Sequence, residues 1–582
     1  MFIRTVKIPS SNGTVNEYVR VVESYREGGK VKQRTVADLG RKDLLTDMLP
    51  QLQRVLLGQP SIPGQDGKVL DILDASTWGP VLVVRALFDQ LGLWKILDGL
   101  LPRTRSDVPF ADRIFVLIAN RLIRPISEHG LARWLDTDFV CDRRGRRFVP
   151  DREQRGRVRI KFRQLNAWYR TLDQLIEIKD RLEVALYGRL RDLFSLKPDL
   201  VMFDITSTYF EGAGPEEFAK HGYSRDGKPQ NVQIVVGLVM VSGWPVAHHV
   251  WEGNKVDSTA VQEVVKDLTQ RFSFSRVVFV GDRGMVSVEN FEALAKDGHG
   301  YLVGMRRRRN ADVDGWLQSI NEAKWVDCQM GVAAREKKNP PRTRVQEVPS
   351  GEEGRRVFII DSDERRAYEQ SKREQSMERA REKLLSVQRR VTEGKLTDQA
   401  KIGAAAQQAL EQHHGGRYFD WEIRDGAFRF FEHPVHFERE KRLEGRYVVT
   451  TSEADVTAVD AVAMYKQLMD VERGFRRMKD VLSLRPVYHQ VESRVKAHVF
   501  VAALGLLMQT LLQERLDLAG LDLSAEEAMH IVETVRYVSF NVDGEHRTGV
   551  SRANPRAGQV LKALDITDPR PPQPPAGQET VM

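Results

Sequence analysis

The hydrophobic pattern changes character several times along the chain. Residues 1 to about 60 alternate apolar and polar in short bursts. The run NEYVRVVESYREGGKVKQRTVADLG predicts two strands joined at Glu27-Gly28-Gly29, the signature of a β-hairpin. From about 78 to 195 apolar residues recur at three- and four-residue spacing, as in GPVLVVRALFDQLGLWKILDGL and FADRIFVLIANRLI, which predicts helices. Between 199 and 304, DLVMFDIT, NVQIVVGLVMV, WPVAHHVWEG, RVVFVGDRG and GYLVGM read as strands. Helical segments near Ser258–Phe272 and Ser287–Lys296 separate some of them, so a mixed α/β sheet is expected. After Arg306-Arg307-Arg308-Arg309 that rhythm stops for about 140 residues. This stretch holds a highly charged helix, roughly Glu364 to Arg390, whose face reads as solvated, flanked by strand-like pieces. A strand at Leu443–Ser452, a long helix from Val456 to Asp480 and an apolar helix over 497–515 follow. The Pro-rich end, ITDPRPPQPPAGQETVM, reads as disordered. No internal repeat is visible.

Composition narrows the classes. With 41% hydrophobic and 29% charged residues the chain reads as a soluble globular protein, large enough to bury a core without disulfides. Its two cysteines, Cys141 and Cys328, stand in no metal-ligand spacing, which fits a reducing cytoplasm. The start, MFIRTVKIPSS, lacks the apolar run of a secretory signal. The longest apolar stretch, Val499–Leu512, is shorter than the ~20 residues that span a bilayer and predicts a buried helix, so no membrane is expected. A net charge of +8 favours a polyanionic partner only weakly. Basic residues crowd Arg143–Arg163, either as a solvated loop or as a phosphate-contacting surface.

Three acids stand out. Asp204 follows four apolar residues in LVMFDIT, and Asp282 ends the apolar run of VVFVGDRG. An unpaired carboxylate is costly to bury, and ligands of α/β sheets sit at the carboxyl ends of strands. A turn or helix N-cap would explain either acid alone. The third is on the predicted helix YKQLMDVERGFRRMK, where Tyr465, Leu468, Glu472, Phe475 and Lys479 are spaced 3, 4, 3, 4 and predict one face. The plainer reading of Glu472 is an i,i+4 surface pair with Arg476. Three carboxylates suit hard divalent cations, and two such ions can act on one phosphate. No GxxxxGK[ST], HExxH or GxSxG motif is present, and the adjacent His248 and His249 of a strand point to opposite faces.

Asp204, Asp282 and Glu472, with Tyr465 and Lys479 around the glutamate, resemble the DDE transposases of bacterial insertion sequences. The resemblance is to the branch with a Tyr-x2-Arg-x3-Glu-x6-Lys signature, here with Leu468 in the arginine position. The order and spacing of the acids agree, as do GYSRDGKPQNVQIVVGL, EGNKVDSTA, GYLVGMR, EGRYVVTTS and RPVYHQVESRVKAHVFVAALGLL. The strong likeness covers about 199–310 and 440–515, and the N-terminal hairpin resembles the start of one subgroup.

The resemblance implies an α/β fold with a ribonuclease-H-like mixed-sheet core, interrupted by a large, mostly β insertion before the catalytic helix. On this reading residues 1–65 form a small β-rich module and 66–195 a helical DNA-binding region. The core spans 196–310 and 443–520, the insertion lies at 311–442, and 521–582 is a C-terminal region. The resemblance further implies binding of terminal inverted repeats, nicking to free a 3′-hydroxyl and joining of that hydroxyl to target DNA, often through a DNA hairpin. The expected cofactor is Mg²⁺, with Mn²⁺ as a substitute, as two ions held by Asp204, Asp282 and Glu472. Tyr465, Lys479, Arg476 and Arg283 are the expected DNA contacts. A homodimer on paired DNA ends in the bacterial cytoplasm, bound to the nucleoid, would be the working form. The alternatives are a ribonuclease-H-like nuclease that does not join strands and a domesticated DNA-binding protein. A two-carboxylate glycosidase leaves Lys479 unexplained.

Overall fold

The computed structural model describes residues 2–9, 15–27, 30–46, 70–104, 106–149, 162–196, 200–274, 277–281, 294, 296, 298–305, 307, 312–328, 341–412, 414–542 and 545–581. The chain divides into two compact units. One comprises Met1–Val83, Leu135–Phe148 and Glu526–Glu579, the other Val84–Trp134, Val149–Ala525 and Thr580–Met582.

In the first unit, strands Phe2–Pro9, Val15–Glu27 and Lys30–Arg41 form an antiparallel sheet. Glu27 pairs with Lys30, as the hairpin expectation requires; Gly28 and Gly29 lie outside the described residues. A second sheet joins Leu70–Thr77 to the strands Arg536–Val542 and Glu545–Val550. Periodicity carries no trace of so distant a pairing, and the expected separation of 66–195 from 521–582 does not hold here. The expectation of a disordered tail is also corrected. Trp78 is fully buried, and its Nε1–H donates to the Pro569 carbonyl at 2.6 Å. A buried indole N–H needs an acceptor, and proline-rich chain leaves its carbonyls free to serve. In the basic run after Arg143, Arg146 pairs with Asp142 at 2.7 Å and Arg147 with Asp74 at 3.1 Å, and residues 150–161 lie outside the described residues.

The second unit is built on a nine-stranded mixed sheet, whose strands we number in chain order. They are β1 (Leu200–Tyr209), β2 (Gln233–Val241), β3 (Trp244–Glu252), β4 (Val278–Gly281) and β5 (Gly300–Gly304). β6 (Val326–Asp327), β7 (Thr343–Val348), β8 (Arg356–Ser362) and β9 (Arg446–Thr451) complete it. The spatial order is β6-β7-β8-β9-β5-β4-β1-β2-β3. β4 runs parallel to both β1 and β5, and every other neighbour is antiparallel.

Alternation along the strands sorts the sheet into two buried faces. Val201, Phe203, Val239 and Phe279 pack with Ala260, Val264 and Leu268 of the helix Asp257–Phe272. Met202, Leu238, Val280 and Leu302 on the other face pack with Leu468, Val471, Phe475 and Leu506. The last of these belongs to the helix Glu492–Leu518. This helix is long and apolar enough to cross a membrane, yet 83% of its most apolar window is buried inside the protein. It is a core helix, longer at both ends than expected. Arg121, from the helix Phe110–Ile123, is buried beside it, donating to His498 Nδ1 at 2.8 Å and to the Ser483 carbonyl at 3.2 Å.

The interruption differs from the expected separate, mostly β insertion. β7 and β8 extend the main sheet instead of forming a sheet of their own. The charged helix spans Asp363–Thr392 and buries only Met377, Ala380, Leu384 and Val387, a stripe of spacing 3, 4, 3. Against that stripe lie Ile402, Ala406 and Leu410 of a second helix and Phe419 and Phe428 of a hairpin, forming a small satellite core. Arg307, from the four-arginine run, is buried and ties this helix to the sheet, donating to Glu369 at 2.6 Å and to the Leu443 carbonyl at 2.6 Å.

Candidate active site

Asp204 lies in the middle of β1, half-buried, with its Oδ1 accepting the Ile205 N–H at 2.8 Å. Strand alternation puts it on the face of Met202, beneath the helices. Met202, Val280 and Leu302 are register partners across β1, β4 and β5. Asp204 and Gly304 each stand two residues beyond that row, on strands separated by β4, so about 10 Å lies between their backbones. β4 has Gly281 as its last residue, and both Asp282 and Arg283 lie outside the described residues.

Above this row runs the segment expected as one long helix. It is instead the helices Ala458–Lys466 and Leu468–Arg476 followed by a π turn, Arg477–Val481. At the break the Gln467 N–H is shared between the carbonyls of Ala463 and Met464, and Asp470 N–H donates to the Gln467 carbonyl at 2.9 Å. A tightened turn advances the chain by more degrees per residue than an α-helix, so it resets the helical phase. The turn separates Tyr465 from the helix that follows. Along that helix and its π turn the buried stripe is Leu468, Val471, Phe475 and Met478, centred on the Val471 side of the expected face, which leaves Glu472 exposed at its rim and not at its centre. The plainer alternative for Glu472 fails too, since no Glu472–Arg476 pair forms and Arg476 is exposed. The acids on either side are engaged, Asp470 with Arg473 at 3.1 Å and Asp480 with Arg485 at 2.6 Å.

Contacts fix where this helix crosses. Gly474 packs on Leu238, the cross-strand partner of Asp204. Tyr465 covers the end of β5, where a Cβ added to Gly304 would lie 2.3 Å from its phenol oxygen. Glycine alone permits so close an approach. Leu468, in the arginine position of the signature, is buried in the core and offers no charge. The structure thus brings Asp204, the Glu472 helix and Tyr465 to one region of one sheet face.

Lys479 departs from a simple DNA-contacting residue. Its side chain is 10% exposed and pairs with Asp226 at 2.8 Å. Burial holds its ammonium below the usual lysine range, against the opposing pull of Asp226. Asp226 also accepts from Arg485. Neither Asp226 nor Arg485 was singled out from sequence, although the polar, Gly-containing GYSRDGKPQ run was the available signal.

His248 and His249 do point to opposite faces. His248 Nδ1 meets Glu183 at 2.8 Å, and His249 Nε2 lies 3.4 Å from Asp267. Among the described residues no three His, Cys, Asp or Glu side chains are grouped to hold a metal, and these residues include two of the three expected acids.

Residues 3–62 match the model of the IS1634 family transposase N-terminal domain, and residues 197–508 match the transposase DDE domain. No curated protein matches. A solved piggyBac transposase synaptic complex with hairpin DNA is 9% identical, covering 79% of this chain and 82% of that chain, at a TM-score of 0.34, too low to bear on the argument. The DDE domain model spans more than half of the chain, Asp204 and Glu472 included, and the chain belongs to the DDE transposases of insertion sequences.

Proposed function

We propose that this transposase binds the terminal inverted repeats of its own element, nicks the DNA to free a 3′-hydroxyl, and joins that hydroxyl to target DNA. The observation that carries the reading is the position of Asp204. It stands on β1, level with the end of β5 and one residue beyond the end of β4, under the helix that bears Glu472. The order β3-β2-β1-β4-β5, with β1 antiparallel to β2 and parallel to β4, supports a ribonuclease-H-like core.

Asp204, Asp282 and Glu472 are the acids of the site in this reading. Met202 and Val280 are register partners, and each precedes one of the two aspartates by two residues in sequence. DDE domains generally use divalent metal ions, and the three carboxylates offer the hard oxygen donors that Mg²⁺ or Mn²⁺ prefers. Two such ions, when bound, activate the attacking oxygen and stabilise the leaving one. The chain's own contribution is to hold the acids and to orient the phosphate. Tyr465, Arg476 and Arg283 contact the DNA, with Lys479 at the edge of the same site. The protein acts as a homodimer on two paired ends, in the cytoplasm and on the nucleoid.

The rival is a metal-dependent nuclease of the same fold that hydrolyses without joining. A pre-cut DNA end bearing a free 3′-hydroxyl, offered with a target plasmid and Mg²⁺, separates the two. Joined product supports transposition, whereas hydrolysis alone would establish the nuclease.

A further inference from the structure

Asp226 is an acid with a buried side chain that the triad leaves unused. It lies in the connection between β1 and β2, with its side chain 3% exposed. Its Oδ1 accepts from both Lys479 and Arg485, while its Oδ2 is buried with no hydrogen-bond partner. Arg485 turns its other arm to Asp480 at 2.6 Å. Two tethers hold the surrounding segments at one end of β1. Arg225 N–H donates to Ser207 Oγ, three residues past Asp204, at 2.9 Å. Val487 N–H donates to the Tyr209 carbonyl at 3.0 Å, and Glu211 N–H donates back to Val487 at 3.0 Å.

A carboxylate buried this deeply is retained only when it is paired. Asp226 divides one oxygen between Lys479 and Arg485, so each cation is fixed in place with donor capacity to spare. Lys479 has three N–H groups and Asp226 occupies one, while Arg485 keeps 29% of its side chain exposed.

Resting on the transposase reading, we infer that Asp226 is a positioning residue that holds Lys479 and Arg485 as a two-cation seat for one DNA phosphate beside the acids. Its function is geometric. It fixes where the phosphate sits and does not itself touch DNA.

The test uses the full chain and a duplex taken from the DNA flanking its gene, with binding and single-turnover nicking in Mg²⁺ measured separately. Asp226→Asn should bind this duplex as well as wild type or better, because one negative charge is gone. It should nick on the order of ten- to a hundred-fold more slowly, because the seat is misplaced. Asp226→Glu should recover part of the rate. The double variant Asp226→Asn with Lys479→Gln should be no slower than the slower single variant, since both act through one contact. A merely structural role predicts additive losses that track the melting temperature. If Asp226→Asn is too unstable to assay, Arg485→Lys, which keeps the charge but loses the fork that reaches both Asp226 and Asp480, should show the same split between largely intact binding and slow nicking. Near-normal or faster nicking by Asp226→Asn, beside an inactive Asp204→Asn, overturns the inference and leaves the transposase reading standing. Absence of nicking by wild type would remove that reading, and the inference with it.

Discussion

Gly474 rests on Leu238, the residue paired with Asp204 across β1 and β2. A Cβ at position 474 would lie 3.0 Å from Leu238 Cδ2, closer than packed carbons sit. This contact sets the height of the Glu472 helix above the acid strand. Gly474→Val should lift that helix, destabilise the protein by about 1–3 kcal/mol and slow nicking beyond what the lost stability explains. Thermal melts and nicking well below the melting temperature would separate the two effects. Wild-type stability would mean the helix does not sit on the sheet as described.

The Gly304–Tyr465 contact gives a second, reciprocal test. Gly304→Ala should destabilise, because its Cβ meets the phenol oxygen. Adding Tyr465→Ala removes the clash and should restore the melting temperature. It should leave nicking slow if the phenol also positions DNA. Full recovery of both would reduce Tyr465 to a packing residue.

Much of the core was legible in the sequence, for local reasons. Strands such as LVMFDIT and VVFVGDRG announce themselves by an acid after a run of four apolar residues. The hairpin Glu27–Lys30, the charged helix and the apolar core helix were readable from turn chemistry and periodicity. What local pattern cannot carry is pairing at long range and helical phase across a break. Residues 70–77 pair with 536–542, and β7 and β8 join the main sheet instead of a separate insertion. Spacings of 3 and 4 fit both Leu468-Glu472-Phe475 and Leu468-Val471-Phe475-Met478, and the sheet takes the second, apolar set, which leaves Glu472 at the rim. The Asp226 pairing was hidden because its partners are more than 250 residues away in sequence.

Acid should destabilise the fold. Burial, reinforced by Lys179, pushes His248 down to about 4, while Glu183, flanked by Lys179 and Arg271, is held well below the usual carboxylate range despite its burial. Burial also lowers His489 and His498. An unfolded histidine titrates near 6.5. Between about 6.5 and 4 the unfolded chain therefore binds protons that the folded one refuses, and stability falls as pH falls through that window. Melting temperatures from pH 7.5 to 4.5 should decline below pH 6.5. His248→Gln should flatten the decline by about one proton's worth, and a flat wild-type profile would mean these histidines are not buried.

DNA binding should weaken steeply between low and moderate salt, because lysine and arginine displace counterions from phosphate. The logarithm of affinity plotted against the logarithm of salt concentration should be a line whose slope counts those contacts. A flat line would contradict a phosphate-dominated interface.

The most direct test of the central claim is the Mg²⁺-dependent nicking rate of Glu472→Gln on DNA flanking the gene, beside Asp204→Asn and Asp282→Asn. Glu472 is exposed and forms no ion pair with any described residue, so its substitution should leave the melting temperature unchanged. All three variants should retain DNA binding and lose nicking. A Glu472→Gln protein that nicks at a near-normal rate would show that this glutamate is a surface residue and that the third acid lies elsewhere.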